Sequence, residues 1–339
     1  MKRPAFPVIL LFIFIISVQP AQAAAKLTAN SIWPKENLHS QFLHEYADRV
    51  QKATGGSIII EVKDSNALQF KGPDLLEAVR DNRVNISDML ITGVEDKEPF
   101  FQIITLPFFL KDLTAVQNFD QMARPYFDNY AKKWNQKILY MAPWSAAGLW
   151  TKRPILKASD MAGLQTRTYD QNGAKVIELL KGKSHVIPFV DVFKALEDGT
   201  IDSAIATSSV ATDTKFWQVL KYYNMINIAF PQNMVTINLD VFNKLSAEEQ
   251  KILVNTADDL EKTFWYKITL VDEMEKNECA KHGMSMPPVS AQLRDELMKE
   301  TESIRQDWYK TAPPDAQELY MKYMNKYGGP KQPSAASGM

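Results

Sequence analysis

The chain has 339 residues, of which 45% are hydrophobic, and its 39 basic and 40 acidic side chains give a formal net charge of −1. This near-neutral composition gives no support for nucleic-acid binding, because proteins of that class carry a concentrated basic surface. The single cysteine, Cys279, excludes an internal disulfide, so we expect a fold stabilised by its hydrophobic core.

Residues 1–23 have the features of an export signal. Lys2 and Arg3 are basic, residues 8–18 form an apolar run, and Ala21 and Ala23 are small residues suited to a cleavage site. The apolar run is too short to cross a bilayer comfortably, and no later stretch of about twenty apolar residues follows it. The sequence therefore predicts a signal peptide over 1–23 and a mature chain exported to the periplasm.

The first half of the mature chain alternates strand and helix patterns. The predicted elements are strands over 26–32, 57–63 and 86–91, a helix that begins after Asn37 or Ser40 and ends at 53, helices over 74–82 and 113–134, and strands over 137–142 and 150–152. The βαβαβ order at the start favours a parallel sheet with right-handed crossovers.

A second alternating series begins at Leu164. Its predicted elements are strands over 164–168, 184–188, 201–206 and 235–239, helices over 174–180, 191–198 and 213–222, and three further helices over 247–281, 293–310 and 315–327. The helix over 247–281 contains no proline and exceeds the size of one small domain, so we expect it to brace both halves of the molecule.

These patterns predict an α/β protein of two lobes that close over a cleft between them. We assign residues 24–145 plus 235–275 to lobe I and residues 146–234 plus 276–328 to lobe II, followed by a flexible tail over 329–339. Ligand sites are common at domain interfaces of this kind.

Arg167 is the leading candidate for a ligand-binding residue. It lies at the end of a predicted strand and just before a helix, and strand carboxyl ends face the ligand crevice in open α/β sheets. A guanidinium there matches a carboxylate with two parallel hydrogen bonds. The alternative is a surface arginine in an ion pair, and the alternating segments around it favour the ligand site.

Other candidates for ligand contact lie beside predicted strand ends or helix starts. The aromatic candidates are Trp33, Trp144, Tyr169, Phe189 and Trp217, and the polar ones are Ser208, Ser209 and Asn233. Core packing is the alternative for Trp217 and Phe189. Trp144 and Tyr169 are favoured because they adjoin Pro143 and Arg167.

Metal and catalytic sites find little support. Cys279 and His282 are a lone pair of potential ligands, whereas a zinc site normally has four ligands or three plus water. Ser208, His185 and Asp202 include the residue types of a hydrolase triad, but no Gly-x-Ser-x-Gly motif or phosphate-binding glycine loop accompanies them. We therefore predict no metal, no cofactor and no catalysis. A ligand sensor or scaffold stays open as an alternative.

Several short runs, in a fixed order, are similar to one known family. They are ATGG at 53–56, LLEAVR at 75–80, LPFFL at 106–110, GLQTR at 163–167, IPFVDVFKAL at 187–196, DGTID at 198–202, TKFW at 214–217 and LSAEEQ at 245–250. With this combination the chain resembles the extracytoplasmic solute receptors, of the DctP type, of tripartite ATP-independent periplasmic (TRAP) transporters.

The resemblance implies a periplasmic binding protein fold with mixed sheets, in which two lobes close over an organic acid and deliver it to the TRAP membrane subunits. We expect the protein to be a monomer. Arg167 falls on the family arginine that holds the ligand carboxylate, and Phe189 on a position where many relatives place a ring. Relatives commonly carry an asparagine where this chain has Ala206, so hydroxyls at 207–209 are expected to donate instead. The less polar pocket suggests an aromatic or 2-oxo monocarboxylate, with a C4-dicarboxylate or a sugar acid as the alternative.

Overall fold

The structure is a computed structural model, and it describes residues 24–328. The predicted signal peptide and tail lie outside this range. The strands are β1 Ala25–Asn30, β2 Ile58–Lys63, β3 Ile86–Leu90, β4 Gln136–Pro143, β5 Ala147–Thr151, β6 Gln165–Thr168, β7 Lys183–Val186, β8 Ser203–Ala206, β9 Tyr222–Ala229 and β10 Gln232–Asn238. The helices are α1 Leu38–Ala53, α2 Leu75–Arg80, α3 Leu113–Lys133, α4 Gln171–Leu179, α5 Val192–Glu197, α6 Ser208–Asp213, α7 Leu239–Lys244, α8 Ala247–Lys281, α9 Ala291–Glu300, α10 Glu302–Thr311 and α11 Pro314–Tyr327.

The strands form two five-stranded mixed sheets. The first has the order β2-β1-β3-β10-β4, and the second has the order β7-β6-β8-β5-β9. In the first sheet β1 is parallel to β2 and β3, while β10 is antiparallel to β3 and β4. The chain crosses between the sheets from β4 to β5 and again from β9 to β10. This arrangement confirms the prediction of a two-lobed α/β fold with mixed sheets.

Helix α8 spans both lobes, as the sequence predicts. Ser246 and Glu249 form a capping box at its start, which satisfies two backbone N–H groups that a helix leaves free. Phe264 and Ile268 pack in the core of the first sheet, and Cys279 packs in the core of the second. Because Leu253 near its start packs in the same first core, the helix ties the two sheets together with apolar contacts at both ends.

Two predicted helices differ from the structure. The helix predicted over 213–222 is wrong, because Lys215 adopts a left-handed backbone with φ of 54° and strand β9 begins at Tyr222. The helix predicted over 293–310 is two helices, divided at Thr301. In both places the helical periodicity continues through a residue at which the backbone leaves the helix.

The last helix packs against the first lobe. Tyr320 stacks on Phe109 with ring centroids 5.0 Å apart, and Tyr323 meets Phe119 at 5.5 Å. The predicted division placed residues 276–328 with the second lobe, whereas α11 joins the core around α3. Within residues 24–328, no helix combines the length and the apolar character that a bilayer crossing requires.

Candidate ligand-binding site

A cavity of about 370 Å³ lies between the two sheets. The segments that follow β1, β3 and β4 form one side of it, and the ends of β6, β7 and β8 form the other. The carboxyl ends of strands therefore surround this space, as expected for an α/β ligand site. Five of the predicted contact residues line it, namely Trp33, Trp144, Arg167, Tyr169 and Phe189.

Arg167 presents a buried and largely unpaired guanidinium to the cavity. Only 3% of the residue is exposed. Its Nε donates to the carbonyl of Ile187 at 2.9 Å and Nη1 donates to that of Ile205 at 3.1 Å, which leaves three of its five N–H donors unused. None of the ion pairs within residues 24–328 includes it. Burial lowers the pKa of this guanidinium to about 10, so it stays charged at neutral pH.

Aromatic rings from both lobes form one wall of the cavity. Trp33 lies edge-on to Trp144 with centroids 4.7 Å apart, and edge-on to Phe189 at 4.9 Å. Trp33 follows β1 of the first sheet and Phe189 follows β7 of the second. Their contact therefore bridges the cleft between the lobes.

Asn233 lies behind this wall and not in the cavity. Its Oδ1 accepts a hydrogen bond from Nε1 of Trp144 at 2.7 Å, and its Nδ2 donates to Oδ1 of Asp88 at 2.8 Å. Burial raises the pKa of Asp88 to about 7. We expected Asn233 to contact the ligand, whereas the structure places it where it orients the tryptophan that does line the site.

Two acidic residues at the cavity were missed by the sequence analysis. Oε1 of Glu95, from the first lobe, accepts from the backbone N–H of Gln171 at 2.7 Å, so it caps α4 from across the cleft. Asp170 caps the same helix by accepting from the N–H of Gly173 at 2.8 Å. Burial raises the pKa of both carboxyls, and the charge of Asp170 raises that of Glu95 further. Asp170 had a capping signal in the sequence, but nothing marked Glu95.

The predicted serine contacts point away from the cavity. Ser208 donates to Glu275 of α8 at 2.9 Å, and Ser209 donates to the same carboxylate at 2.7 Å. Both serines thus attach α6 to α8, and neither lines the cavity. Ala206 and Thr207 line it in their place, and the Thr207 side chain caps α6.

Trp217 also lies elsewhere, because its ring stacks on His282 with centroids 4.2 Å apart. Ser208, His185 and Asp202 do not form a triad, since His185 bonds to Gln165 and Ser208 bonds to α8. No group of three or more potential metal ligands occurs in the described part of the chain.

Comparison with known proteins agrees with this architecture. The family described as Bacterial extracellular solute-binding protein, family 7, matches residues 29–312. A solute-binding protein of Verminephrobacter eiseniae is 24% identical over 304 residues, covering 82% of this chain and 88% of its own. The 2,3-diketo-L-gulonate-binding periplasmic protein YiaO of Escherichia coli is 24% identical over 223 residues, covering 63% of this chain and 66% of its own. The crystal structure of DctP7 of Bordetella pertussis, an extracytoplasmic solute receptor binding pyroglutamic acid, has a TM-score of 0.85 at 26% identity and covers 88% of this chain and 99% of that chain.

Proposed function

Because the chain belongs to the bacterial extracellular solute-binding proteins of family 7, we propose that it captures a small organic acid and delivers it to the membrane subunits of a TRAP transporter. Arg167 is the observation that carries this proposal. A buried cation needs an anionic partner, and its unused N–H donors lie at a cavity of ligand size. A ligand carboxylate supplies that partner through two parallel charge-assisted hydrogen bonds.

The ligand in this proposal is a monocarboxylate with a flat or cyclic body, such as an aromatic, 2-oxo or lactam acid. Trp33, Trp144 and Phe189 offer ring faces and edges, and Ala206 adds no polar group. Asp170 disfavours a second ligand carboxylate, because two carboxylates in the same buried space repel each other and are costly to ionise together. The Bordetella pertussis relative binds pyroglutamic acid, which has one carboxylate on a small ring.

Capture in this proposal takes place in the periplasm and involves closure of the lobes. A ligand that contacts Arg167 on one lobe and Trp33 on the other stabilises the closed arrangement and shifts the population toward it. The Trp33–Phe189 contact and the Glu95–Gln171 hydrogen bond add to the closed state, because both cross the cleft. The membrane subunits then receive the ligand from the closed receptor.

A panel of acids tests this function. Each acid is compared with its neutral amide by thermal shift and by titration calorimetry on the mature protein, so that the two members of a pair differ only at the carboxylate. A bound monocarboxylate at a hundredfold excess over its Kd adds about 2.7 kcal/mol to the free energy of unfolding. The amide is expected to add much less.

The outcomes separate the two levels of the proposal. Failure of every organic acid to bind would remove the receptor function. Binding of C4-dicarboxylates or sugar acids alone would keep the receptor function and remove the monocarboxylate assignment. A deletion strain that loses uptake of the bound acid, and regains it with the wild-type chain, tests delivery.

A further inference from the structure

Helix α8 exposes three large apolar side chains on one face. Tyr266 is 74% exposed, Leu270 52% and Met274 69%. They follow one another at four-residue spacing, so they form one stripe along the helix. The stripe lies on a different face from Phe264 and Ile268, which pack in the core. Nothing in residues 24–328 covers it.

Polar residues extend the same face in both directions. The positions of the full face are 259, 263, 266, 270, 274, 277 and 281, separated by 4, 3, 4, 4, 3 and 4 residues. Residues 259, 270 and 281 lie eleven residues apart. Eleven residues in three turns give about 3.67 residues per turn, which is close to the period of a straight helix. The face therefore runs straight along about 33 Å of α8.

The face is symmetric about Leu270 in both spacing and charge. A two-fold axis perpendicular to α8 at Leu270 relates the two copies of an antiparallel pair. It places each residue of one copy opposite the residue of the second copy that lies the same number of positions from Leu270 in the other direction. The resulting pairs are Tyr266 with Met274, Thr263 with Asn277, Lys267 with Glu273, Lys262 with Glu278 and Asp259 with Lys281. Every charged pair joins opposite signs.

We propose that this face of α8 is a self-association surface, on which a second copy of the chain docks antiparallel about the two-fold axis through Leu270. A two-fold interface must be complementary to itself, and the charge pattern meets that condition at all three charged pairs. The proposal replaces the monomer expected from the sequence.

The flanking charges take part in this contact by exchanging their partners within the chain. Lys267 lies 4.0 Å from Glu45, and Glu273 pairs with Lys276 at 3.0 Å. Lys262 pairs with Asp259 at 3.3 Å and Lys281 with Glu278 at 3.2 Å within one helix, and all four side chains are well exposed. Such exposed pairs contribute little, so exchanging them for pairs with a second copy costs little. The apolar part is small, well below the ~800 Å² per partner of a standard interface. We therefore expect a weak, reversible dimer that forms as the protein concentration rises.

Sedimentation over a concentration series tests the apolar stripe. Leu270→Glu is expected to weaken association at least tenfold, because it places two carboxylates at the two-fold axis. Leu156→Glu is the matched control, since Leu156 is 68% exposed but lies outside α8. Equal weakening by both variants, or a wild-type protein that stays monomeric at every concentration, overturns the proposal.

A charge-exchange experiment tests the geometry. Lys267→Glu and Glu273→Lys each place like charges opposite each other in their own dimers, so each variant alone is expected to associate more weakly than the wild type. A mixture of the two variants restores opposite charges at both positions of a mixed dimer. Recovery of association in the mixture supports the antiparallel arrangement and cannot arise from a folding defect. No recovery overturns it, and so does association of either variant alone at the wild-type level.

Discussion

Replacing Arg167 by alanine should abolish tight ligand binding while the protein still folds. The guanidinium is held by the carbonyls of Ile187 and Ile205, and its remaining donors are available to a ligand. The substitution removes the only charge partner that we assign to the ligand carboxylate. It also leaves that carboxylate buried without compensation if the ligand enters.

The size of the effect follows from the number of hydrogen bonds lost. A bidentate contact contributes two hydrogen bonds to a charged group, each of about 1.5–3 kcal/mol. Their sum of about 3–6 kcal/mol corresponds to roughly two to four powers of ten in Kd. Arg167→Lys should recover only part of this affinity, because an ammonium lacks the planar fork.

Titration calorimetry measures these affinities, and Arg305→Ala is the matched control. Arg305 is also buried and donates to the carbonyl of Pro107 at 2.6 Å, but it does not line the cavity. Its loss should lower the melting temperature and leave Kd within a few fold. The reasoning is refuted if Arg167→Ala binds the ligand with wild-type affinity, or if Arg305→Ala weakens binding equally.

Two further predictions concern the buried carboxyls. The pKa of Asp88 is raised to about 7 in the folded state, whereas the unfolded state releases this proton near pH 4. Between these pH values only the folded state holds the proton, so the free energy of unfolding should fall as pH rises from about 4 to 7. Asp88→Asn keeps the acceptor for Asn233 and should reduce this dependence of the unfolding free energy on pH by up to about 1.4 kcal/mol per pH unit. Urea unfolding at several pH values measures it. An unchanged pH dependence would show that Asp88 is not the group that holds the proton. Glu95→Ala removes the hydrogen bond to Gln171 across the cleft and should weaken ligand binding about tenfold, whereas Glu95→Gln keeps an acceptor and should bind more tightly than the alanine variant in calorimetry. Equal affinities of the two Glu95 variants would show that the hydrogen bond does not contribute to closure.

Local patterns were enough to predict much of the fold. The bounds of α8 agree with the prediction to the residue, because Ser246 supplies a capping signal and the periodicity runs without a proline. Strand β9 was missed, because the hydrophobic periodicity continues through Lys215, where the backbone turns left-handed and leaves the helix. The helix predicted over 213–222 ended at Tyr222, and the rest of the strand was assigned to no element.

The site was predictable where a residue lies at the end of a strand or directly after it. Arg167, near the end of β6, and Trp144, just after β4, meet that condition, and both line the cavity. Asn233 and Asp88 are 145 positions apart, and only the pairing of β10 with β3 brings them together behind Trp144. Glu95 reaches its partner from the opposite lobe, so its role depends on closure and leaves no local signal.

The links between the lobes differ in stiffness, which determines how the receptor opens. The crossings at residues 144–146 and 230–231 are short irregular segments that bend easily, whereas α8 is a continuous rod of 35 residues. Leu253 and Leu260 fasten its early turns in the core of the first sheet, while Ser208 and Ser209 fasten its later turns through the carboxylate of Glu275, which water can also solvate. Opening should therefore rotate the second lobe about the later turns of α8, and the rod limits how far the entrance can widen.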